Sequence, residues 1–129
     1  MKLTIIVDAN PIISALLGGF SRQILFNHNF NFITTYYTLN EVRKYIPYIA
    51  KKADVSEEYI LSALELIPLK VYQNTEYSSF LPKAKVLITD QKDVDILALA
   101  LKFEYPLWSN DLHFENIPNI KLMKTKDFV

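Results

Sequence analysis

The chain has 129 residues, of which 50% are hydrophobic and 22% are charged, a balance that fits one globular domain over residues 1–129 and excludes a disordered chain. It contains no cysteine, which excludes disulfides, thiolate metal sites and a cysteine nucleophile. The 14 basic and 14 acidic residues cancel, which argues against a protein that coats nucleic acid through many lysine–phosphate contacts.

The first predicted element is a short apolar run from Leu3 to Val7, rich in β-branched residues, which is typical of a buried strand in a parallel sheet. The run ends at Asp8. A secretory signal needs a longer apolar region, and a membrane-spanning helix needs about 20 apolar residues. We therefore expect a cytoplasmic protein that has no membrane partner.

Strands and helices alternate along the rest of the chain. The strands are predicted at residues 3–7, 32–35, 69–72, 107–108 and 120–123. The helices are predicted at residues 11–17, 21–27, from 38 onward with a division at Pro47, from 56 to 67, within 76–87, and from about 90 to 104. This alternation predicts an α/β fold that has a mainly parallel sheet and helices on both faces.

Four carboxylates come from four distant segments of the chain. Asp8 directly follows the first predicted strand, and Asp111 follows the strand at 107–108. Glu41 and Asp93 lie in the first turns of two predicted helices. Because ligands of open parallel sheets bind beyond the carboxyl ends of the strands, we expect these four side chains to converge at one edge.

Such a cluster is costly unless positive charge neutralises it, because like charges at close range disfavour ionisation. Hard divalent cations prefer oxygen ligands, and Mg²⁺ typically uses a few carboxylates together with waters and substrate phosphates. A bound metal can also activate a water and stabilise charge that develops on phosphorus. The pattern therefore predicts a site for Mg²⁺ or Mn²⁺.

Each acidic residue also has a structural interpretation. Thr38-x-x-Glu41 has the form of a capping box, and acidic residues such as Asp93 favour the first turn of a helix. Asp111 fits an ordinary turn, and Asp8 fits a cap for a helix that starts at Pro11. The joint placement of the four residues, and no single position, favours the metal site.

Other polar and aromatic residues are predicted to be structural. His113 fits a surface turn, and Trp108 fits the core better than a base-stacking platform. A solvated helix face explains the following basic residues better than a phosphate-binding patch does: Arg43, Lys44, Lys51 and Lys52.

Three stretches of the chain, residues 5–16, 93–101 and 106–114, resemble the motifs of the PIN-domain family. They supply an aspartate after the opening strand, an aspartate opening a helix rich in alanine and leucine, and a strand followed by Ser109, Asp111 and a phenylalanine. The resemblance implies a three-layer α/β/α sandwich with a central, mainly parallel sheet. It also implies metal-dependent cleavage of phosphodiester bonds, usually in RNA.

The resemblance also implies roles for individual residues. The expected ligands of Mg²⁺ or Mn²⁺, which are also the catalytic residues, are Asp8, Glu41, Asp93 and Asp111. Asn10 and Ser109 are expected to orient carboxylates or to contact substrate. Asp95 is an alternative to Asp93, although the spacing from Pro106 favours Asp93. Residues two apart on a helix point about 200° apart, so the two aspartates are not expected to share one role.

The leading hypothesis is a metal-dependent endoribonuclease that acts on RNA. The size is also similar to that of VapBC-type toxins of this family, which implies a homodimer and a small antitoxin partner. The alternative is a non-catalytic module of the same fold that binds RNA or protein in RNA processing. A phosphotransfer receiver ranks last, because the chain offers no convincing pair of a mid-chain aspartate and a later lysine.

Overall fold

The computed structural model describes residues 2–129. Over this range the strands are β1 (Leu3–Val7), β2 (Phe30–Thr35), β3 (Leu69–Tyr72), β4 (Leu107–Trp108) and β5 (Leu122–Met123). The α-helices are α1 (Ala9–Leu16), α2 (Ser21–Leu25), α3 (Tyr36–Lys44), α4 (Ile46–Ala53), α5 (Glu57–Leu66), α6 (Leu81–Leu87) and α7 (Gln91–Phe103). None of these helices is both long enough and apolar enough to cross a bilayer.

The five strands form one sheet in the order β3-β2-β1-β4-β5. Every described strand pair is parallel; Ile6 of β1, for example, is in register with Ile33 of β2 and with Leu107 of β4. The chain moves outward from β1 through β2 to β3, and then crosses to the other side of β1 to form β4. This reversal opens a crevice beyond the carboxyl ends of β1 and β4, where parallel sheets bind their ligands.

Two apolar cores cover the two faces of the sheet. Ile5 and Val7 of β1 point to one side, where helices α1, α2, α4 and α5 pack around residues such as Ile49. Ile6 points to the opposite side, where α6 and α7 pack around residues such as Leu97. Both faces are covered, as expected for a parallel sheet with continuous apolar strands. The predicted α/β/α sandwich with a central parallel sheet is confirmed.

Helix α1 begins at Ala9, two residues earlier than predicted. The side chain of Asp8 explains this difference, because its Oδ1 accepts a hydrogen bond from the backbone N–H of Ala9 at 2.8 Å. Asp8 is therefore both the last residue before the helix and its N-cap. The helix ends before Gly18, whose φ of 87° is a left-handed conformation that favours glycine.

Helix α3 begins before Thr38, where it was predicted to open, and the interpretation of Thr38-x-x-Glu41 as a capping box is wrong. Thr35 is the N-cap, and its Oγ1 accepts a hydrogen bond from the backbone N–H of Thr38 at 2.9 Å. Thr38 therefore lies inside the helix, and the Glu41 carboxylate binds Lys44 at 2.8 Å. The predicted division near Pro47 is confirmed, since α3 ends at Lys44 and α4 begins at Ile46, with Pro47 in its first turn.

The helix predicted within residues 76–87 is confirmed as α6, which occupies the second half of that range. Two 3₁₀ turns, Asn74–Glu76 and Ser78–Phe80, come first, and α6 follows from Leu81. Pro82 lies in the first turn of α6, where its missing N–H would have no helical partner in any case. The last strand is shorter than predicted and comprises only Leu122 and Met123.

Candidate metal centre

A cleft opens at the carboxyl edge of the sheet and brings together the four acidic residues singled out by the sequence. Its volume is about 170 Å³. The first turns of α1 and α7 and one face of α3 form its walls. The lining residues are Asp8, Ala9, Asn10, Ile13, Thr38, Glu41, Tyr45, Lys92, Asp93 and Asp111. Residues far apart in the chain therefore meet in one place because β1 and β4 are adjacent in the sheet.

Hydrogen bonds tie the ends of β1 and β4 together. Ser109, which is fully buried, donates through its Oγ to Oδ2 of Asp8 at 2.7 Å. The same Oγ accepts a hydrogen bond from Nδ2 of Asn10 at 3.2 Å and another from the backbone N–H of Asp111 at 3.1 Å. Ser109 and Asn10 thus orient Asp8 and the turn that carries Asp111.

His113 joins the acidic cleft through its ring. Its Nδ1 lies 2.8 Å from Oδ2 of Asp93, 3.3 Å from Oδ1 of Asp111 and 3.8 Å from Oδ2 of Asp90. Within residues 2–129, Asp90, Asp93 and His113 form a group whose ligand atoms all lie within 4.8 Å of one another. His113 does lie in a surface turn, but the sequence did not indicate this contact with three carboxylates.

The other two acidic positions differ in their surroundings. Glu41 lines the cleft, and Lys44 partly neutralises its charge through the 2.8 Å ion pair. Asp95 is buried and accepts a hydrogen bond from the hydroxyl of Tyr77, a residue of the second core. The turn of the helix thus places Asp93 in the cleft and directs Asp95 toward Tyr77.

Burial governs the electrostatics of the cleft. Desolvation raises the pKa of Asp8, although the hydrogen bond from Ser109 opposes this shift. Desolvation also raises the pKa of Asp93 to about 6; the hydrogen bond with His113 lowers it, and the charges of Asp8 and Asp111 add to the increase. The contact with Asp93 in turn raises the pKa of His113. The cleft therefore favours added positive charge.

The side chains of the cleft fit a divalent cation. Asp8 and Asp93 are both buried carboxylates whose ionised forms are penalised by desolvation, and a cation offsets that penalty. Their oxygens, with those of Asp111 and Glu41, are the hard ligands that Mg²⁺ and Mn²⁺ prefer. The imidazole of His113 adds a nitrogen donor at the rim.

Three lining residues did not stand out in the sequence: Ile13, Tyr45 and Lys92. Tyr45 follows Glu41 by one helical turn, and Lys92 is next to Asp93, so helical spacing from the acidic residues was the available signal. Trp108 is fully buried, as predicted, and packs against Phe32 and Phe128.

Comparisons with known proteins agree with this architecture. The family model described as PIN domain matches residues 6–122. One similar solved structure is a chain of the crystal structure of VapBC2 from Rickettsia felis bound to a DNA fragment from their promoter. The match has a TM-score of 0.67 and 20% sequence identity, and it covers 95% of this chain and 98% of that chain. No curated protein matches the chain.

A parallel α/β/α sandwich that has an acidic cleft beyond the ends of its central strands defines the structural class of this protein. Because the family match spans most of its length, the chain belongs to the PIN-domain family.

Proposed function

We propose that this protein is a metal-dependent endoribonuclease. The observation that carries the proposal is the convergence of Asp8, Glu41, Asp93 and Asp111 on one cleft at the carboxyl edge of the sheet. Membership of the PIN-domain family supports the same reaction class. Because the proposed substrate is RNA, we expect the enzyme to act in the cytoplasm.

Asp8, Asp93 and Asp111 would hold Mg²⁺ or Mn²⁺, with Glu41 as a further carboxylate of the same cleft. When bound, the metal supplies an activated water and stabilises the charge that develops on the scissile phosphate. Ser109 keeps Asp8 aimed into the cleft through the 2.7 Å hydrogen bond. In-line attack by water on phosphorus, with departure of the 3′-oxygen, gives a 5′-phosphate and a 3′-hydroxyl.

The test is cleavage of an end-labelled single-stranded RNA in Mg²⁺, Mn²⁺ or EDTA. Wild type is expected to cleave only with metal, and Asp8→Asn is expected to lose at least 100-fold of this activity. Asp54→Asn is the matched control, because Asp54 caps α4 in a left-handed conformation that asparagine also adopts. Unchanged cleavage by a pure preparation of Asp8→Asn would contradict the proposal.

A second candidate is a non-catalytic module that binds RNA or protein. The ion pair of Glu41 with Lys44 and the contacts of His113 favour it, because the protein itself supplies positive charge to these carboxylates. This candidate predicts binding that needs no metal and that survives Asp111→Asn. Metal-dependent cleavage by wild type removes it.

We further propose that the protein is the toxin of a toxin–antitoxin pair, since the similar Rickettsia felis structure is of VapBC2. An apolar groove lies between α1, α2 and α5, and its lining includes Phe26, Tyr59 and Leu66, which are 43%, 62% and 74% exposed. Exposed apolar surface of this kind is typical of protein interfaces. We propose that an apolar segment of a small antitoxin fills this groove and that the chain forms a homodimer.

The partner proposal is tested by purifying the chain alone and together with any small protein whose gene adjoins its own. Light scattering after size exclusion is expected to give a mass near twice 15.0 kDa for the chain alone and a larger complex with the partner. Leu66→Glu is expected to weaken the complex at least 10-fold, whereas Val86→Glu, on the exposed face of α6, is the control. If both variants bind the partner with equal affinity, the partner does not bind in the groove between α1, α2 and α5.

A further inference from the structure

We infer that the cleft contains a nucleotide subsite beside the carboxylates, in which Tyr45 and Ile13 hold one base of single-stranded RNA and Lys92 holds a neighbouring phosphate. The inference rests on the proposed nuclease function and identifies residues that would select its substrate. The inference gives a function to three residues that line the cleft but are not proposed to hold the metal.

Tyr45 and Ile13 form an apolar wall next to the acidic end of the cleft. Tyr45, at the C-cap of α3, follows Glu41 by four residues, and Ile13 follows Ala9 by four, so each lies about 6 Å further along its helix axis. Tyr45 belongs to neither apolar core and is 44% exposed, whereas Ile13 is half-buried and also packs against the first core. The wall therefore stands one helical turn from the carboxylates, a separation similar to that between a nucleotide's phosphate and its base.

The backbone holds Tyr45 in a fixed position. Its N–H donates to the carbonyl of Val42 at 2.9 Å, and its own carbonyl accepts from the N–H of Ile49 at 2.9 Å. Val42 and Ile49 are both fully buried in the first core. The backbone that carries the ring is therefore fixed at the junction of α3 and α4, and a preorganised backbone reduces the entropy lost when a base stacks on the ring.

Stacking on this wall requires a base that is free of its own helix. Aromatic side chains in single-strand binders stack on successive bases with little sequence preference. The bases of duplex RNA are already paired and stacked, and the narrow major groove does not expose their faces. The wall formed by Tyr45 and Ile13 thus favours single-stranded RNA over duplex.

Lys92 supplies positive charge at the opposite wall. It lies in the first turn of α7, where the helix dipole disfavours a cation. Among the described residues, its side chain makes no hydrogen bond and no ion pair, and Lys92 is an exposed residue that lines the cleft together with Asp93. An unpaired lysine in an acidic cleft fits an anionic ligand, and the phosphate next to the scissile one is the anion that this substrate provides.

The stacking arm of the test uses a short single-stranded RNA that carries 2-aminopurine, with Ca²⁺ in place of Mg²⁺ to slow cleavage. Wild type is expected to quench the fluorescence, and Tyr45→Ala is expected to lose the quenching and to bind about 5- to 100-fold more weakly. Tyr45→Phe keeps the ring and is expected to retain both signals. Tyr48→Ala is the control, because Tyr48 is 55% exposed on α4 and does not line the cleft.

The phosphate arm measures how binding of the same RNA depends on salt. Lys92→Ala is expected to lower the slope of log affinity against log salt by about 0.7, the value for one phosphate contact on a single strand. Lys121→Ala is the control, because Lys121 precedes β5 and so lies at the opposite edge of the sheet. An unchanged slope for Lys92→Ala overturns the assignment of Lys92.

The outcomes separate this inference from the nuclease proposal. Metal-dependent cleavage by wild type that Tyr45→Ala and Lys92→Ala leave unchanged, with quenching also unchanged, overturns the subsite and keeps the nuclease. Quenching that depends on Tyr45 without any metal-dependent cleavage keeps the subsite and overturns the nuclease. Equal binding of single-stranded and duplex RNA contradicts the substrate preference, and binding of neither RNA by wild type overturns both proposals.

Discussion

Asp93 shows how burial in the acidic cleft makes the ionised form of a carboxylate unfavourable. It is a buried carboxylate whose pKa rises to about 6, mainly because burial removes water from its charged form. Its contact with His113 lowers this cost, but the charges of Asp8 and Asp111 increase it again. Without metal, the ionised form of Asp93 therefore opposes folding at neutral pH.

The first prediction concerns the stability of the metal-free protein between pH 4 and pH 8. Because the folded-state pKa of Asp93 lies above its unfolded value, the folded state binds more protons, and stability is expected to rise as the pH falls from about 7 toward 4. In EDTA at pH 8, Asp93→Asn is expected to be more stable than wild type by about 1–2 kcal/mol. Urea unfolding across this pH range measures the effect.

The stability difference between wild type and Asp93→Asn is expected to shrink as the pH falls. Asp127→Asn is a control for the loss of an aspartate outside the cleft, since Asp127 bonds the backbone N–H of Lys124. A difference that is independent of pH would contradict the assignment of the raised pKa to Asp93.

Helix starts are the elements that place the cleft. Asp8 caps α1, Thr35 caps α3 and Asp90 caps α7, so three first turns point toward the same edge of the sheet. Thr35 is fully buried, and its Oγ1 is paired with both the backbone N–H and the hydroxyl of Thr38. The position of Glu41 in the cleft depends on this cap.

The second prediction concerns Thr35→Val, which keeps the shape of the side chain and removes the hydroxyl. The variant leaves two polar groups of Thr38 without their partner, so we expect a loss of about 1–2 kcal/mol in the free energy of unfolding. Glu41→Gln is expected to change it by less than about 0.5 kcal/mol, because Glu41 bonds a surface lysine and not the helix backbone. Urea titrations measure both changes. A larger loss of unfolding free energy for Glu41→Gln than for Thr35→Val would indicate that the capping box at Thr38 does form.

Apolar periodicity predicted the order of strands and helices and, with it, the fold, because burial on both faces of a parallel sheet leaves a strong sequence pattern. Exact helix starts were missed where two hydroxyl residues, Thr35 and Thr38, compete for the same cap. The acidic residues of the cleft were visible because they follow strands or open helices. The contacts of His113, Tyr45 and Lys92 were not, since they arise only when separate elements pack together.

At the scale of the whole molecule, the proposed metal binding would be coupled to folding. The cleft exists only when β1, α3, α7 and the segment after β4 are assembled, so a divalent cation binds the folded chain in preference to the unfolded one. A cation bound in the cleft would also offset the repulsion between Asp8, Asp93 and Asp111.

The third prediction is that Mn²⁺ raises the melting temperature of the wild type. At a concentration about 100-fold above the dissociation constant, the gain is about 2.7 kcal/mol, or about 8 °C for a domain of this size. Asp8→Asn is expected to show less than half of this shift, and excess EDTA is expected to reverse it. Scanning calorimetry measures the melting temperatures. An equal shift in wild type and Asp8→Asn would show that the metal binds outside the cleft.

The hydrogen bond from Ser109 to Asp8 joins residues 101 positions apart in the chain. During synthesis the amino-terminal part of the chain emerges first, so Asp8 is made long before β4 and the turn at Ser109 that complete its surroundings. A nascent chain therefore carries no finished cleft until Asp111 has left the ribosome. For the proposed ribonuclease, this order of assembly means that the cleft is incomplete during most of translation, while messenger and ribosomal RNA are close by, and that a chain interrupted before Asp111 lacks one of its carboxylates.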